Sequence, residues 1–394
     1  MKRQIAFVFG GPSVEHEISI ITGIQALLSF DNEKYEPFAL YIAKDGSMFV
    51  GDVLNDIENF RDLENVKKNA TQVILVRDGN RSKLVGYPKS LFSKTFEKDI
   101  DLAFLCVHGT NVEDGALQGF FKTLGVPIVG CDVTSAALGM DKFKQKSILK
   151  DAGVNVLDAI ELNYADYENI TSAIEKVEER FSYPIIVKPV NLGSSVGISV
   201  ASNKDELEHS LDEAFSYANR VLVERAIENL SELNCSILGD NEEAEASVIE
   251  RPISSDEILS YEDKYLRGGK KKTGASASGM ASVSREIPAK IDESTRENVE
   301  RQALLAFKTL GCSGVSRVDF LVDEDTGEVY FNEINTIPGS LSFYLWEPKG
   351  VSYKDLLNRC VEIANKNERR QRSITFSFDT NVLNTASLAG AKGK

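Results

Sequence analysis

Two neighbouring runs near the C-terminus carry polar side chains at alternating positions. They are Ser316–Leu321 and Tyr330–Asn335, separated by the turn-like stretch Asp323–Gly327. Side chains alternate along a strand, so a hairpin with a symmetric register places the polar residues on one face. These residues are Arg317, Asp319, Glu333 and Asn335. Two carboxylates and an amide oxygen suit Mg²⁺ that bridges nucleotide phosphates. The alternative is the solvated face of a hairpin, which the apolar neighbours disfavour.

A lysine lies inside an apolar strand. Ile185–Pro189 contains Lys188, and the small-residue loop Asn191–Gly197 follows it. A buried lysine is costly unless it is paired. A phosphate would pair it, and backbone N–H groups of the loop could close on the anion. The alternative is an edge-strand lysine beside a flexible turn. The sequence contains no GxxxxGK[ST] motif, so it is not a P-loop protein.

Three further residues stand where strands end. Glu224 closes the apolar run Val221–Val223, where it could bind an adenine amino group or a ribose hydroxyl, or simply begin a loop. Glu15 lies in a strand-to-helix turn, where it could hold a substrate ammonium or pair with the helix dipole. His108, between a strand and a helix, is either a polar ligand or a turn residue. The Gly10-Gly11 turn lacks GxGxxG spacing, which disfavours a dinucleotide-binding dehydrogenase.

The elements that must position these residues fall into two patterns. Short apolar strands alternate with helical segments over the first two hundred residues, which is typical of α/β layering. Residues 45–100 are polar and indicate an insertion or an extension of the sheet. Later strands predict one mostly antiparallel sheet crossed by a helix over 293–310. These strands are expected at 220–224, 233–238, 245–250, 315–322 and 328–332.

Composition narrows the classes of partner. The chain has 394 residues, 42% of them hydrophobic, and a formal net charge of −15. Nucleic acids and anionic membranes both need a basic footprint, so neither is expected as a partner. The five scattered cysteines include no CxxC pair and are expected to be buried free thiols. The N-terminal apolar run is too short for a signal peptide, so a cytoplasmic location is expected.

Taken together, these blocks resemble the ATP-grasp superfamily and, within it, the D-alanine–D-alanine ligases, over roughly residues 4 to 365. The blocks that carry the resemblance are Phe9–Ser19, Val107-His108-Gly109, Glu113-Asp114-Gly115, Met140-Asp141-Lys142, Lys188-Pro189, Gly193–Gly197, Lys264-Tyr265, Arg317-Val318-Asp319 and Asn332–Gly339. The resemblance implies a fold of α/β and α+β type, an ATP-grasp fold with an N-terminal Rossmann-like (preATP-grasp) domain. Expected boundaries are 1–131 for the substrate domain, 132–224 and 225–365 for the two ATP-grasp subdomains with a mobile loop at 266–282, and 366–394 for a polar tail.

The resemblance also implies roles for individual residues. Lys142 and Lys188 would bind the ATP phosphates, Glu224 the adenine and Glu232 the ribose. The remaining expected nucleotide-binding residues are Ser195, Arg225, Ile227 and Lys264. Asp319, Glu333 and Asn335 would hold two Mg²⁺ or Mn²⁺ ions. Glu15, linked to Ser194 and Tyr265, would hold the ammonium of the first D-alanine, and His108 would lie near its carboxylate. Arg317 and the Gly339 N–H would form an oxyanion hole.

The implied reaction is ATP-dependent formation of D-alanyl-D-alanine, or a variant dipeptide or depsipeptide, through an acyl phosphate for peptidoglycan precursors. A homodimer is possible by the same resemblance. The family commonly has a serine five places past the glycine, which binds the second carboxylate; here Tyr344 stands there, and Ser340 or Ser342 could replace it. The second substrate, such as D-alanine, D-serine or D-lactate, therefore stays open. The alternatives are a ligase for another amino-acid pair and a catalytically idle nucleotide-binding regulator.

Overall fold

The computed structural model describes residues 2–88, 95–193, 196–253 and 285–375. Three sheets organise these residues, each with its own set of helices. The helices are α1 (His16–Ser29), α2 (Leu63–Asn69), α3 (Ala116–Thr123), α4 (Val133–Met140), α5 (Lys142–Asp151), α6 (Tyr164–Tyr167), α7 (Ile170–Glu178), α8 (Lys204–Tyr217), α9 (Glu293–Thr309) and α10 (Tyr353–Arg372). Short 3-10 helices span Asp52–Asn55, Ile57–Arg61, Gly339–Leu345 and Glu347–Lys349.

The first sheet has eight strands, and the four at one end of it are parallel. Its strands are β1 (Arg3–Gly10), β2 (Tyr35–Ile42), β3 (Met48–Val50), β4 (Thr71–Asp78), β5 (Arg81–Gly86), β6 (Glu97–Asp99), β7 (Leu102–Leu105) and β8 (Ile128–Val129). The order is β6-β5-β4-β3-β2-β1-β7-β8, and β2, β1, β7 and β8 run parallel. Ile5 to Phe9 are fully buried, as expected for a parallel strand covered on both faces. Of the two interpretations of residues 45–100, the structure shows the sheet extension, because β3–β6 add to its edge in antiparallel fashion.

The second sheet contains the predicted strand with Lys188. Its strands are β9 (Ala159–Asn163), β10 (Ile185–Pro189), β11 (Ser199–Ala201) and β12 (Arg220–Arg225), in the order β11-β10-β12-β9. β10 and β11 pair antiparallel on either side of the small-residue loop, so Lys188 belongs to one arm of a hairpin. Helices α7 and α8 cover the sheet with an apolar core of their own. Helices α6 and α7 are separate, because the Asn169 side chain caps a new helix start at α7.

The third sheet is antiparallel and carries the predicted metal face. Its strands are β13 (Leu230–Gly239), β14 (Ala244–Pro252), β15 (Arg285–Glu286), β16 (Gly314–Asp323) and β17 (Glu328–Asn335). The order is β15-β14-β13-β16-β17, and α9 packs across it. The expectation of one sheet for all the later strands is wrong, because β12 pairs with β9 and β10 in the second sheet instead. Two sheets facing each other leave space between them for a ligand.

Helix α10 is the last element of the described residues. It continues to Arg372, past residue 366 where the polar tail was expected to begin, and its apolar face joins the core of the first sheet. All five cysteines are buried free thiols, as expected. Cys106 and Cys360 belong to the core of the first sheet, and Cys131, Cys235 and Cys312 belong to that of the third. Within the described ranges, none of the helices has the length and apolarity needed to cross a membrane.

Candidate functional site

The C-terminal hairpin has the predicted register. Arg317 pairs with Asn335 and Asp319 pairs with Glu333, so the four polar side chains share one face. The register shifts after Asp319, where Phe320 pairs with Phe331 and leaves Asn332 as an extra residue. Phe320 and Phe331 are fully buried in the core beneath the sheet. One face of the hairpin therefore anchors it, and the other presents charged groups to a cleft.

Cations already accompany both acidic residues of this face. The Arg317 guanidinium donates to both Asp319 oxygens at 2.6 Å, and Asn335 Nδ2 donates to Asp319 Oδ2 at 2.9 Å. Lys142 Nζ lies 2.9 Å from Glu333 Oε2 and donates to the Leu192 carbonyl at 2.6 Å. Lys142 is the first residue of α5, directly after the link from α4. The helix start therefore fixes the backbone position from which this side chain extends. When a ligand binds, the basic groups can contact phosphate oxygens instead, and the acidic groups can contact a cation.

A second group of charges lies deeper, between α5, β10 and β12. Glu224 is fully buried, and its two oxygens accept from Lys146 and Lys188. Burial alone would raise the pKa of Glu224, but the two lysines outweigh it and lower the pKa to about 2. Lys188 also donates to Asn332 Oδ1 at 3.4 Å, which connects the second sheet to the third. Sequence reasoning missed Lys146, although it follows Lys142 by one helical turn and so faces the same way.

The charges border two cavities. The first, here called the cleft, is lined by Glu15, His108, Glu113, Gly139, Met140, Lys142, Leu192, Gly193, Glu232, Asn234, Glu250, Pro252, Arg285, Arg317, Asp319, Glu333, Ile334, Asn335, Ile337 and Gly339. The second, of about 550 Å³, lies between the two antiparallel sheets. Its walls include Lys188, Glu224, Arg225 and Ile227, four of the residues expected to bind nucleotide. The Arg225 side chain donates to Asp323 Oδ2 at 3.4 Å and to the Tyr330 hydroxyl at 3.2 Å.

The N-terminal sheet contributes an acidic and a neutral group to the cleft. Glu15 is buried, and a Cβ atom on Gly193 would lie 3.1 Å from Glu15 Oε2, so the small-residue loop approaches this carboxylate. Thr22 Oγ1 lies 2.8 Å from His108 Nε2. Burial lowers the pKa of His108 to about 4, so its ring is neutral at pH 7. His108 therefore brings no positive charge to the cleft, and its ring already contacts the Thr22 hydroxyl and the Ile337 backbone.

Glu113 is a buried carboxyl that sequence reasoning did not assign to the site. Its oxygens accept from the backbone N–H groups of Gly109 at 3.1 Å and Ile337 at 3.0 Å, and from the Thr336 hydroxyl at 3.2 Å. Burial, followed by the nearby charge of Glu15, raises the pKa of Glu113 to about 8. Glu113 thus ties the segment before Gly339 to the N-terminal sheet, and it is protonated in the neutral range.

Gly339 lines the cleft at the start of a turn with unusual backbone geometry. Ser340, Leu341 and Ser342 have φ of +50°, +52° and +49°, the left-handed region that side chains rarely adopt. The first N–H groups of a helical turn have no partner within the turn, so the Gly339 N–H is suited to meet an oxyanion. The Ser340 hydroxyl donates to Gln25 Oε1 at 2.8 Å, and Ser342 is fully buried.

Four predicted site residues and one predicted element lie outside the described residues. They are Ser194, Ser195, Lys264, Tyr265 and the loop 266–282. The other predicted residues border one or other of the two cavities.

The residues present fit a nucleotide with a divalent cation. The described residues contain no group of three or more His, Cys, Asp or Glu side chains able to hold a metal. Asp319, Glu333 and Asn335 supply two carboxylates and one amide, so phosphate oxygens and water would have to complete the coordination shell. Lys142 and Lys188 border the two cavities, one each, as a ligand spanning both would require.

Family comparisons decide the relationship. Residues 4–131 match the family described as "D-ala D-ala ligase N-terminus", and residues 148–362 match "D-ala D-ala ligase C-terminus". This chain belongs to the D-alanine–D-alanine ligase family. Among its curated relatives, "D-alanine--D-alanine ligase" of Thermosipho melanesiensis is 36% identical over 379 residues, covering 96% of this chain and 98% of the relative. The protein of the same name from Acetivibrio thermocellus is 36% identical over 385 residues, with 92% and 96% coverage.

Solved structures agree on the fold. The VanG D-Ala:D-Ser ligase from Enterococcus faecalis has a TM-score of 0.75 at 28% identity and covers 92% of this chain and 100% of its own. The D-alanine-D-alanine ligase from Coxiella burnetii has a TM-score of 0.76 at 28% identity, with 94% and 96% coverage. The expected ATP-grasp fold with an N-terminal Rossmann-like domain is confirmed, in a chain that mixes helix and sheet.

Proposed function

We propose that this chain is an ATP-dependent ligase that joins D-alanine to a second amino or hydroxy acid through an acyl phosphate. The observation that carries the proposal is the convergence of Arg317, Asp319 and Glu333 with Lys142 and Glu15 on one cleft. Relatives named D-alanine–D-alanine ligase align over almost the whole chain, which supports the same chemistry here. A cytoplasmic location and a homodimer accompany the proposal as expectations.

The nucleotide would span the two cavities. Its adenine would enter the second cavity beside Ile227 and the Glu224–Arg225 backbone, and its ribose would face Glu232. Glu224 serves as the counter-ion that holds Lys146 and Lys188 in place, and adenine contact by its carboxylate would have to share these oxygens. Lys188 and Lys142 would then meet the phosphates as point charges. Ser195 and Lys264 keep their expected nucleotide-binding roles.

The hairpin face would hold the divalent cations. Asp319, Glu333 and Asn335 are the proposed ligands of two Mg²⁺ or Mn²⁺ ions, which neutralise phosphate charge when bound. Arg317 and Lys142 now neutralise these acids, and both would turn toward the reacting groups as ions replace them. Arg317 and the Gly339 N–H would donate to the oxyanion of the tetrahedral intermediate.

The first D-alanine would bind between the N-terminal sheet and the hairpin face. Glu15, linked to Ser194 and Tyr265, would accept hydrogen bonds from its ammonium, and neutral His108 would lie near its carboxylate. That carboxylate attacks the γ-phosphate, and the amine of the second substrate then displaces phosphate from the acyl phosphate. Positioning and charge neutralisation carry the first step. Water must be excluded, since it would hydrolyse the intermediate.

The test is phosphate release with ATP, Mg²⁺ and D-alanine, followed by mass spectrometry of the product. We expect phosphate release that requires D-alanine and yields a D-alanyl product. A second arm offers other amino and hydroxy acids with D-alanine. Tight nucleotide binding without phosphate release from any of these mixtures would reject the ligase and favour the idle regulator.

A further inference from the structure

Two lysines share one buried carboxylate beside the second cavity. Lys146, on α5, donates to Glu224 Oε2, and Lys188, on β10, donates to Glu224 Oε1. Glu224 is fully buried, and the side chains of Lys146 and Lys188 are 4% and 7% exposed. Burial alone would raise the pKa of Glu224, yet the two lysines lower it to about 2. The carboxylate is therefore charged at pH 7 and needs a cation beside it.

The two lysines differ in their access to the cavity. Lys188 and Glu224 line the second cavity, whereas Lys146 lines neither this cavity nor the cleft. Glu224 pairs with Ile186, and side chains alternate along a strand, so Lys188 lies on the same face of the second sheet as Glu224. Lys146 comes from α5, outside this sheet. A ligand in the second cavity therefore contacts Lys188 directly and is affected by Lys146 only through Glu224.

Helix α5 is anchored on both sides of Lys146. The neighbouring Gln145 accepts from the Ile334 N–H of β17 at 3.1 Å through its Oε1. Leu149, on the same buried side of the helix, is fully buried in the core of the third sheet. These contacts fix the backbone from which Lys146 extends to Glu224. Lys146 is therefore the lysine that remains with Glu224 when a ligand enters the cavity.

The proposed function requires Lys188 to contact a phosphate. If Lys188 were the sole partner of Glu224, this exchange would leave a charged carboxylate buried and unpaired, which is costly in free energy. Lys146 avoids that cost, because Glu224 keeps one ion pair throughout the exchange.

We propose that Lys146 is a positioning residue for ATP binding, which stays paired with Glu224 and thereby releases Lys188 to the phosphates. The inference rests on the ATP site of the proposed function and adds to it a residue that does not touch the nucleotide.

The first test compares wild type with Lys146→Met by titration calorimetry with ATP and Mg²⁺, without D-alanine. Methionine is of similar length but carries no charge, so Lys188 becomes the cation on which Glu224 depends. We expect ATP affinity to fall about 10- to 100-fold, the range for one lost hydrogen bond between charged groups. Adenosine has no phosphate for Lys188 to contact. Its affinity, measured by competition, should therefore be the same in both proteins.

The second test removes the carboxylate as well. Glu224→Gln needs no counter-ion, so adding Lys146→Met to it should leave ATP affinity unchanged. Both of these proteins carry the same change at the adenine end of the cavity, so any effect on adenine cancels in the comparison. Neither has a buried carboxylate short of a partner, so this pair decides the question even if Lys146→Met alone does not fold.

Lys150→Met is the matched control. Lys150 lies one turn further along α5, its side chain is 62% exposed, and its Nζ is 3.1 Å from Asp158 Oδ1. Removing this charge should leave the affinity for ATP equal to that of wild type.

Three results would contradict the role of Lys146. Unchanged ATP affinity in folded Lys146→Met would reduce Lys146 to a structural counter-ion. An equal loss for ATP and adenosine would mean that Lys146 shapes the nucleoside pocket and does not act through Lys188. A loss of ATP affinity that persists in the Glu224→Gln background would exclude Glu224 as the link.

The same measurements separate this role from the proposed function. If wild type binds no ATP, the proposed function and the role of Lys146 fail together. If wild type binds ATP and only the Lys146 comparison fails, the proposed function stands.

Discussion

At the scale of single residues, the acidic side chains of the site form ion pairs with basic side chains of the same site. Asp319 is neutralised by Arg317, Glu333 by Lys142, and Glu224 by two lysines. An unpaired buried charge is costly in free energy. Each acidic side chain of the site therefore needs a basic partner before the ligand binds. Ligand binding then exchanges one set of partners for another, and changing a single acid should affect activity more than folding.

Glu333→Gln tests this at the metal face. We expect ligase turnover to fall at least about 100-fold, because a neutral amide is a poor substitute for a carboxylate beside phosphate and a divalent cation. Steady-state phosphate release measures the loss, and circular dichroism checks the fold. Glu328→Gln, an exposed change at the other end of the same strand, is the control and should stay near wild type. Comparable turnover in both variants would reject Glu333 as a ligand.

Glu113 predicts a specific pH dependence of stability. Its folded pKa of about 8 exceeds the ordinary value of 4.5, so the folded state binds more protons between these values. Stability from this group is complete below pH 4.5 and declines as pH rises to 8. Glu113→Gln cannot ionise, so its free energy of unfolding should fall less from pH 5 to 8, by about 1 kcal/mol per pH unit.

Urea unfolding at pH 5, 6, 7 and 8 measures both proteins. His108 works in the opposite direction: its folded pKa of about 4 lies below the ordinary 6.5, so its contribution is lost as pH falls below 6.5. His108 is present in both proteins, so the difference between their slopes isolates Glu113. Parallel pH profiles would show that Glu113 is ionised throughout, like an ordinary surface carboxyl.

At the scale of elements, local patterns were predictable and long-range pairings were not. The alternation of side chains on two short strands around a turn determines the Arg317–Asn335 register without any distant contact. The structure shows this register. Which sheet contains β12 depends on its pairing with β9, and the sequence of β12 alone does not predict that pairing. The Arg285–Glu250–Tyr344 cluster joins three elements far apart in sequence, and each residue looks ordinary in its own segment.

The left-handed turn after Gly339 yields a prediction at this scale. Ser342 combines a φ of +49° with a buried hydroxyl that has no hydrogen-bond partner among the described residues. Ser342→Gly should raise the free energy of unfolding by about 1 kcal/mol, since it removes both costs and adds only the flexibility of glycine to the unfolded chain. Ser340→Gly relieves a similar φ but loses the hydrogen bond to Gln25, so it should gain less.

Urea denaturation at one pH compares the two glycine variants. A loss of stability in Ser342→Gly equal to that in Ser340→Gly would show that the turn is unstrained in the folded protein. Phosphate release is the second measurement, because this turn follows Gly339 directly. Backbone strain near a functional site often maintains the geometry of that site. A stabilised variant with lower turnover would therefore indicate that this turn positions the oxyanion donor.

At the scale of the whole molecule, α10 joins the first sheet to the third. It contacts β8 on one side and β13 and β16 on the other, although it comes last in the described chain. Leu357 is fully buried on its apolar face, within the core of the first sheet. The helix therefore packs against both sheets that contribute residues to the cleft, although it does not line the cleft itself.

Leu357→Ala should lower the stability by about 3 kcal/mol through the cavity it leaves. Because α10 spans both sheets, we expect their unfolding transitions to separate in denaturant, measured by Trp346 fluorescence together with far-ultraviolet circular dichroism. Glu362→Ala, an exposed change on the same helix, should stay within about 0.5 kcal/mol of wild type. Coincident transitions in Leu357→Ala would argue that α10 belongs to one cooperative unit.

The burial of all five cysteines limits their access to thiol reagents in the folded protein. Burial raises the pKa of Cys235 and of Cys360 to about 12, and a reagent needs both access and a thiolate. Alkylation must therefore wait for a transient opening of the surrounding core. Cys106 and Cys360 report openings of the first sheet, whereas Cys131, Cys235 and Cys312 report those of the third. Site-resolved alkylation rates with and without ATP would thus give two separate opening free energies from one unmodified chain, one on each side of the cleft.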